Sequence, residues 1–231
     1  MYSVKEVLLK YEQIDRKGMQ ILENASFKKF SGFPKSLENR FHVSIRPTEY
    51  SKKEIKEVIV SKLESLESVW GAKFFLANRN FPIHLTVFEG LYEGDSEAER
   101  DGIFKGLKNN ELFAHIINDL KSSPIKLEHL LIDGGNLLLA AAEIPSSIIQ
   151  IRQILEEKYR LAGLKPLAII DILHSTIARI AEMPGSPAEQ DFLKKYIEDM
   201  VGLKHQIALK PIILLPSDLN TNNAYSVLTK F

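Results

Sequence analysis

Two stretches decide how this chain is read: FPIHLTVFEG, Phe81–Gly90, and LAIIDILHSTIARI, Leu167–Ile180. Each is an apolar, β-leaning run interrupted by a histidine and, two residues on, a threonine. Successive side chains of an extended chain point to opposite faces, so His84 and Thr86 share one side while Leu85 and Val87 take the other. Phe88 follows on the parity of His84. His174 and Thr176 likewise share a face, with Ile172 before them on the same parity. One such pair arises readily from composition, and His42-Val43-Ser44 already fits the looser His-x-Ser/Thr pattern. A strict pair in each of two comparable strands asks for an explanation.

Around these strands the helix starts are marked by serines followed three residues later by glutamate, the capping-box spacing: Ser3/Glu6, Ser51/Glu54, Ser96/Glu99 and Ser186/Glu189. Pro187 suits the first helical position of the last. A further helix is expected from about Ser147 to Leu161, with apolar Ile148, Ile149, Ile151, Ile154 and Leu155 and with Gly163 at its stop. Phe41, Val43 and Ile45 alternate with Arg40, His42, Ser44 and Arg46, which predicts a half-buried strand with one polar face. Further strands are expected over Ala72–Leu76, Ile83–Phe88, Ala168–Ile177, Pro211–Leu215 and Tyr225–Phe231. IKLEHLLIDGGNLLLAAA reads as a hairpin turning at Gly134-Gly135. The order is a loose internal duplication. It predicts an α+β fold of two pseudo-symmetric lobes, about 40–125 and 126–231 with the chain free to cross between them, each a small antiparallel sheet backed by helices, facing a central groove. Residues 1–39 are read as a helical extension packed on the outside of one lobe.

The 231 residues carry 30 basic and 30 acidic side chains, so there is no strong overall field for long duplex nucleic acid or an anionic membrane. With no cysteine, disulfides, thiolate nucleophiles and sulfur-ligated zinc are excluded, and any chemistry must use nitrogen and oxygen. The N-terminal segment lacks the uninterrupted apolar centre of a secretory signal, and a cytoplasmic monomer is expected. No apolar run reaches the roughly 20 residues that span a bilayer.

Two opposed imidazoles, with ordinary pKa values near about 6.5, can be held as one neutral base and one protonated acid. That equips a site for in-line displacement at phosphorus: one histidine accepts a proton from the attacking oxygen while the other donates to the leaving one, each step worth about 10²- to 10⁴-fold. The threonine hydroxyls can bond the non-bridging oxygens and hold the phosphorus between the rings. Arg46 and His42, on the polar face of the first strand, are candidates to meet a phosphate, and Phe88 to stack on a base. His115, His129 and His205 are read as structural or exposed.

His84-Leu85-Thr86 and His174-Ser175-Thr176 resemble the two signatures of the two-histidine (2H) phosphoesterase superfamily, which includes bacterial 2′-5′ RNA ligases and cyclic phosphodiesterases. The proline in FPIHLT and the ending KPIILLPSDLNTNNAYSVLTKF are similar to that family's context, and the likeness runs from about Arg40 to Phe231. The resemblance implies a bilobal α+β fold, catalytic roles for His84, Thr86, His174 and Thr176, and no metal or other cofactor. It implies as substrates 2′,3′-cyclic phosphates or 2′-5′ linkages, on RNA 3′-ends or small nucleotides. A groove that binds a nucleotide or RNA end without turnover is the alternative; a metal between His84 and His174 ranks last, for want of a carboxylate at ligand spacing. Many relatives carry arginine five residues past the first histidine, where Glu89 stands here; Arg179 holds the corresponding place after the second. Simple alternation turns both away from the histidine face, making Arg179 a structural ion-pair partner.

Overall fold

Apolar residues spaced by two make the strands, and apolar residues spaced by three and four wrap helices over them. The computed structural model describes residues 3–24, 40–70, 73–75, 83–91, 102, 105–107, 109–122, 124–163, 165–166, 172–182, 189–205 and 214–223. In chain order these give helix α1 (Val4–Glu23), strand β1 (Arg40–Pro47) and helix α2 (Glu49–Ile55), which passes through a π-helical turn (Lys56–Val60) into α3 (Ser61–Trp70). There follow β2 (Lys73–Phe75), β3 (Leu85–Leu91), α4 (Glu111–Ser122), β4 (Leu127–Asp133), β5 (Asn136–Ala141) and α5 (Ser146–Leu161). Then come β6 (Lys165–Pro166), β7 (His174–Glu182), α6 (Glu189–His205) and β8 (Leu214–Asn223).

The fold is α+β, with two four-stranded antiparallel sheets. The first runs β6-β3-β1-β8 and the second β2-β7-β5-β4. His84 stands immediately before β3 and His174 opens β7, so each His-x-Thr pair belongs to the strand second from an edge. Beside β3 lies the two-residue β6; beside β7 lies the three-residue β2. These short strands are exchanged along the chain, since β2 precedes β3 in sequence yet joins β7, and β6 precedes β7 yet joins β3.

Local chemistry accounts for the element ends. Ser3 and Glu6 close a reciprocal capping box on α1. The Ser51/Glu54 start is displaced by one turn: Thr48 caps α2, accepting from the Ser51 N–H, because its hydroxyl is the first available before the helical run. Asn110 caps α4 by accepting from the Phe113 N–H at 3.2 Å. Gly134 turns the β4–β5 hairpin with φ of 58°, and Gly163 follows α5 with φ of 74°. Among the described residues near the C-terminal end, β8 pairs with β1. The expected strand over Tyr225–Phe231, the Ser96/Glu99 box, Ser186-Pro187 and the loop SFKKFSGFP lie outside the described residues.

One buried cluster spans both sheets. It joins Val43, Ile45, Leu85 and Phe88 of the first to Leu137, Leu139, Leu173 and Ile177 of the second, through Ile148, Ile151 and Leu155 of α5 and Tyr196 and Met200 of α6. Each large side chain so buried contributes about 1.5–3 kcal/mol. A second cluster sets Val7 and Tyr11 of α1 against Leu131, Leu138, Ala140 and Ile172. Because Ala140 pairs with His174 and Leu138 with Thr176, α1 lies on the histidine-bearing face of the second sheet, rather than outside it. The same helix covers the free edge of β4: the Ile132 N–H donates to Asp15 Oδ1 at 2.9 Å, and Lys204 of α6 pairs with the other carboxylate oxygen. Among the described residues, no helix is long and apolar enough to cross a membrane.

Candidate active site

Both His-x-Thr strands break their ladder at the same place. On β3, Thr86 pairs with Ser44 and Phe88 pairs with Val43, which leaves Val87 as an extra residue. On β7, Thr176 pairs with Leu138 and Ala178 with Leu137, which leaves Ile177 extra. Each threonine is thus followed by a β-bulge, and an extra residue reverses the alternation beyond it. Burial records the same thing twice. From Ile83 to Phe88 and from Leu173 to Ala178 the sequence of environments is identical: buried, half-buried histidine, buried, half-buried threonine, then two buried residues in succession.

The bulge corrects two expectations. Phe88 does not share the face of His84; it is turned into the core, 4% exposed, and its ring stacks on Tyr159 of α5 at 5.2 Å with planes 16° apart. Arg179 is brought onto the histidine face, since it pairs with Asn136, which alternates with Leu138 and Ala140, the partners of Thr176 and His174. Its Nη1 donates to Asn136 Oδ1 at 2.6 Å, and Asp133, at the end of the neighbouring β4, supports its charge against burial.

β3 and β7 lie against one another, and His84 is within electrostatic reach of His174. Burial first, and then the nearby His84, Arg152 and Arg179, lower the His174 imidazole from its usual 6.5 to about 4, so the ring is neutral at neutral pH. Its Nδ1 is buried without a hydrogen-bond partner among the described residues. Arg46 directly follows Ile45, where the β1–β3 ladder ends, and His84 directly precedes its partner Leu85. Arg46 is half-buried, on the alternation of Ser44, and acts electrostatically on Glu49. His42 pairs with Glu89 in the ladder, and its side chain lies outside the described residues. His115 is exposed on α4, and His129 packs against the Tyr11 ring at 5.6 Å, as structural readings require.

Two buried polar residues beside Ile172, just ahead of β7, escaped the sequence reading. Arg152 of α5 is 7% exposed; its Nε donates to the Val87 carbonyl at 2.8 Å and its Nη2 to the Ile172 carbonyl at 3.1 Å. A signal for it existed, because Arg152 falls on the helical stripe of Ile148, Ile151, Leu155 and Tyr159, where a cation has to be explained. Tyr11 of α1 donates its hydroxyl to the Ala141 carbonyl, while the Ala141 N–H donates to the Leu173 carbonyl at 3.0 Å, one residue before His174. Burial pushes the Tyr11 phenol upward from its ordinary value.

No protein-family model matches the chain, and no curated protein matches it. Among solved structures the chain is similar to a conserved protein of unknown function from Agrobacterium tumefaciens, with 15% sequence identity over 86% of this chain and 92% of that one and a TM-score of 0.39.

Proposed function

We propose that this chain is a phosphodiesterase of the two-histidine type, opening 2′,3′-cyclic phosphates or cleaving 2′-5′ linkages on RNA 3′-ends or small nucleotides without a metal. The observation that carries the reading is the repeated unit: a His-x-Thr strand second from the sheet edge, a bulge directly after the threonine, and a short exchanged strand alongside. We read the two sheets as pseudo-symmetric lobes whose histidine faces border one groove. The electrostatic reach between His84 and His174 supports that arrangement.

We assign the acid and base roles from the surroundings of the two rings. His174, with its pKa near 4, is the neutral ring that accepts a proton, and with Nδ1 buried its Nε2 is the nitrogen left to meet substrate. Water adds to phosphorus and gives its proton to His174. The bond from phosphorus to one ribose oxygen breaks, and His84, in the role of acid, donates a proton to that oxygen. A phosphomonoester results. Thr86 and Thr176 donate to the non-bridging oxygens, and Arg179 supplies cationic charge on the same face, where an equatorial oxyanion gathers charge. Arg46 extends that cationic lining on the His84 side.

The test is hydrolysis of a 2′,3′-cyclic nucleotide in EDTA. His84→Ala and His174→Ala are each expected to lower it by at least about 10²-fold. Full activity in either variant removes the assignment, and nucleotide binding without product over many protein equivalents assigns the groove to binding alone.

A further inference from the structure

Val87 and Ile172 each present a carbonyl to a side chain of α5. Val87 is the extra residue of the β3 bulge, and an extra residue stands outside the ladder to β1; Ile172 precedes the start of β7. Buried carbonyls need donors, and both find the same one. Arg152 reaches the first through Nε and the second through Nη2, from a helix whose other inward positions are apolar or aromatic apart from Ser147. A guanidinium is a rigid planar fork that can bind two divergent acceptors at once, whereas an ammonium on a flexible stem is a single point. The two carbonyls lie one residue after Thr86 and two residues before His174. The tie therefore joins the catalytic strands themselves.

We propose that Arg152 is the positioning residue of this site: its guanidinium clamps the bulge after Thr86 to the start of β7 and so sets the spacing at which His84 and His174 face a single phosphorus atom. This rests on the reading of that histidine pair as catalytic. The clamp also brings a fixed cation within electrostatic reach of His174. The other charged or titratable groups acting on His174 are His84 beside β3 and Arg179 on β7, the latter held by Asn136 of β5 and Asp133 of β4. Tyr11 of α1 is hydrogen-bonded to Ala141 and clusters with Ile172. Removing Arg152 thus takes away both a tether and a charge, and the two can be separated by substitution.

The experiment uses the full chain with Arg152→Lys and Arg152→Met, following kcat and KM for a 2′,3′-cyclic nucleotide against pH and, by NMR, the titration of the His174 ring. Arg152→Lys keeps the charge and loses the fork: kcat is expected to fall about 100-fold, the cost of roughly an ångström of misplacement, with KM and the His174 midpoint near wild type. Arg152→Met is expected to raise the His174 midpoint toward 6.5, carrying the acid limb of the pH profile with it. Wild-type kcat and an unmoved His174 titration in both variants overturn the proposal, as does loss of folding in both, which assigns the guanidinium to stability alone. If wild type hydrolyses nothing, the phosphodiesterase reading fails by itself, while the His174 titration in Arg152→Met still decides whether the guanidinium acts on that ring.

Discussion

Gly18 of α1 lies against Ile132 of β4 so closely that a β-carbon built on it would stand 1.9 Å from the Ile132 carbonyl oxygen. That oxygen is backbone at the edge of a sheet and cannot swing aside. Gly18→Ala is therefore expected to force α1 off the edge and to cost at least about 2 kcal/mol, within the range seen for overpacked sites. Gly202, inside α6 with nothing within 4 Å of its would-be β-carbon, is the contrast. Gly202→Ala is expected to be neutral or to stabilise by up to about 1 kcal/mol through helix propensity. Urea midpoints of the two variants check both.

His174 links folding to acidity. Its folded pKa of about 4 lies below the unfolded 6.5 chiefly because desolvation of the ring disfavours the protonated form. Above pH 6.5 neither state takes up the proton, and this residue imposes no penalty. Between 6.5 and 4 the unfolded chain binds a proton that the folded chain refuses, so stability falls as the pH falls, by about 3 kcal/mol in all. His174→Asn should flatten that part of the profile, measured as the difference in urea midpoint between pH 7.5 and 4.5.

Arg179 and the two threonines are expected to act on the transition state more than on the fold. Arg179→Met should lower kcat/KM for a cyclic nucleotide by about 10- to 100-fold, the worth of a charge-assisted hydrogen bond. Thr86→Val and Thr176→Val should each lower it while leaving the pH limbs in place, because neither hydroxyl titrates in that range. Arg179→Met with unchanged kcat/KM would return this residue to a purely structural role.

Phe88 offers the opposite test. Stacked on Tyr159 and turned from the histidine face, it should affect stability and not substrate binding. Phe88→Ala is expected to cost about 3–5 kcal/mol, and Phe88→Leu less, with KM near wild type in the leucine variant. A selective rise in KM with unchanged stability would return the ring to a substrate-binding role.

What the sequence made legible was local. Period-two alternation set His84 with Thr86 and His174 with Thr176, and Asp133-Gly134-Gly135-Asn136 declared its hairpin. Alternation fails at one extra residue, however, and nothing in Val87 or Ile177 marks either as a bulge. That single blindness misplaced both Phe88 and Arg179. The exchange of β2 and β6 was likewise hidden, since a strand of two or three residues has no periodicity to read and its partner is chosen by tertiary packing. Arg152 could have been found by asking why a cation interrupts the apolar stripe of α5.

The order in which the chain feeds its sheets has a kinetic consequence. The sheet built around β3 needs residues near 40, 85, 165 and 214–223, so its outer strand β8 is the last of the four to be made. Neither half of the polypeptide holds a full set of partners, and a nascent or truncated fragment is left with open edges, the surfaces on which chaperones act. High sequence separation between paired strands slows folding in proportion. Contact between β3 and β7, which carry the two His-x-Thr pairs, likewise depends on long-range closure.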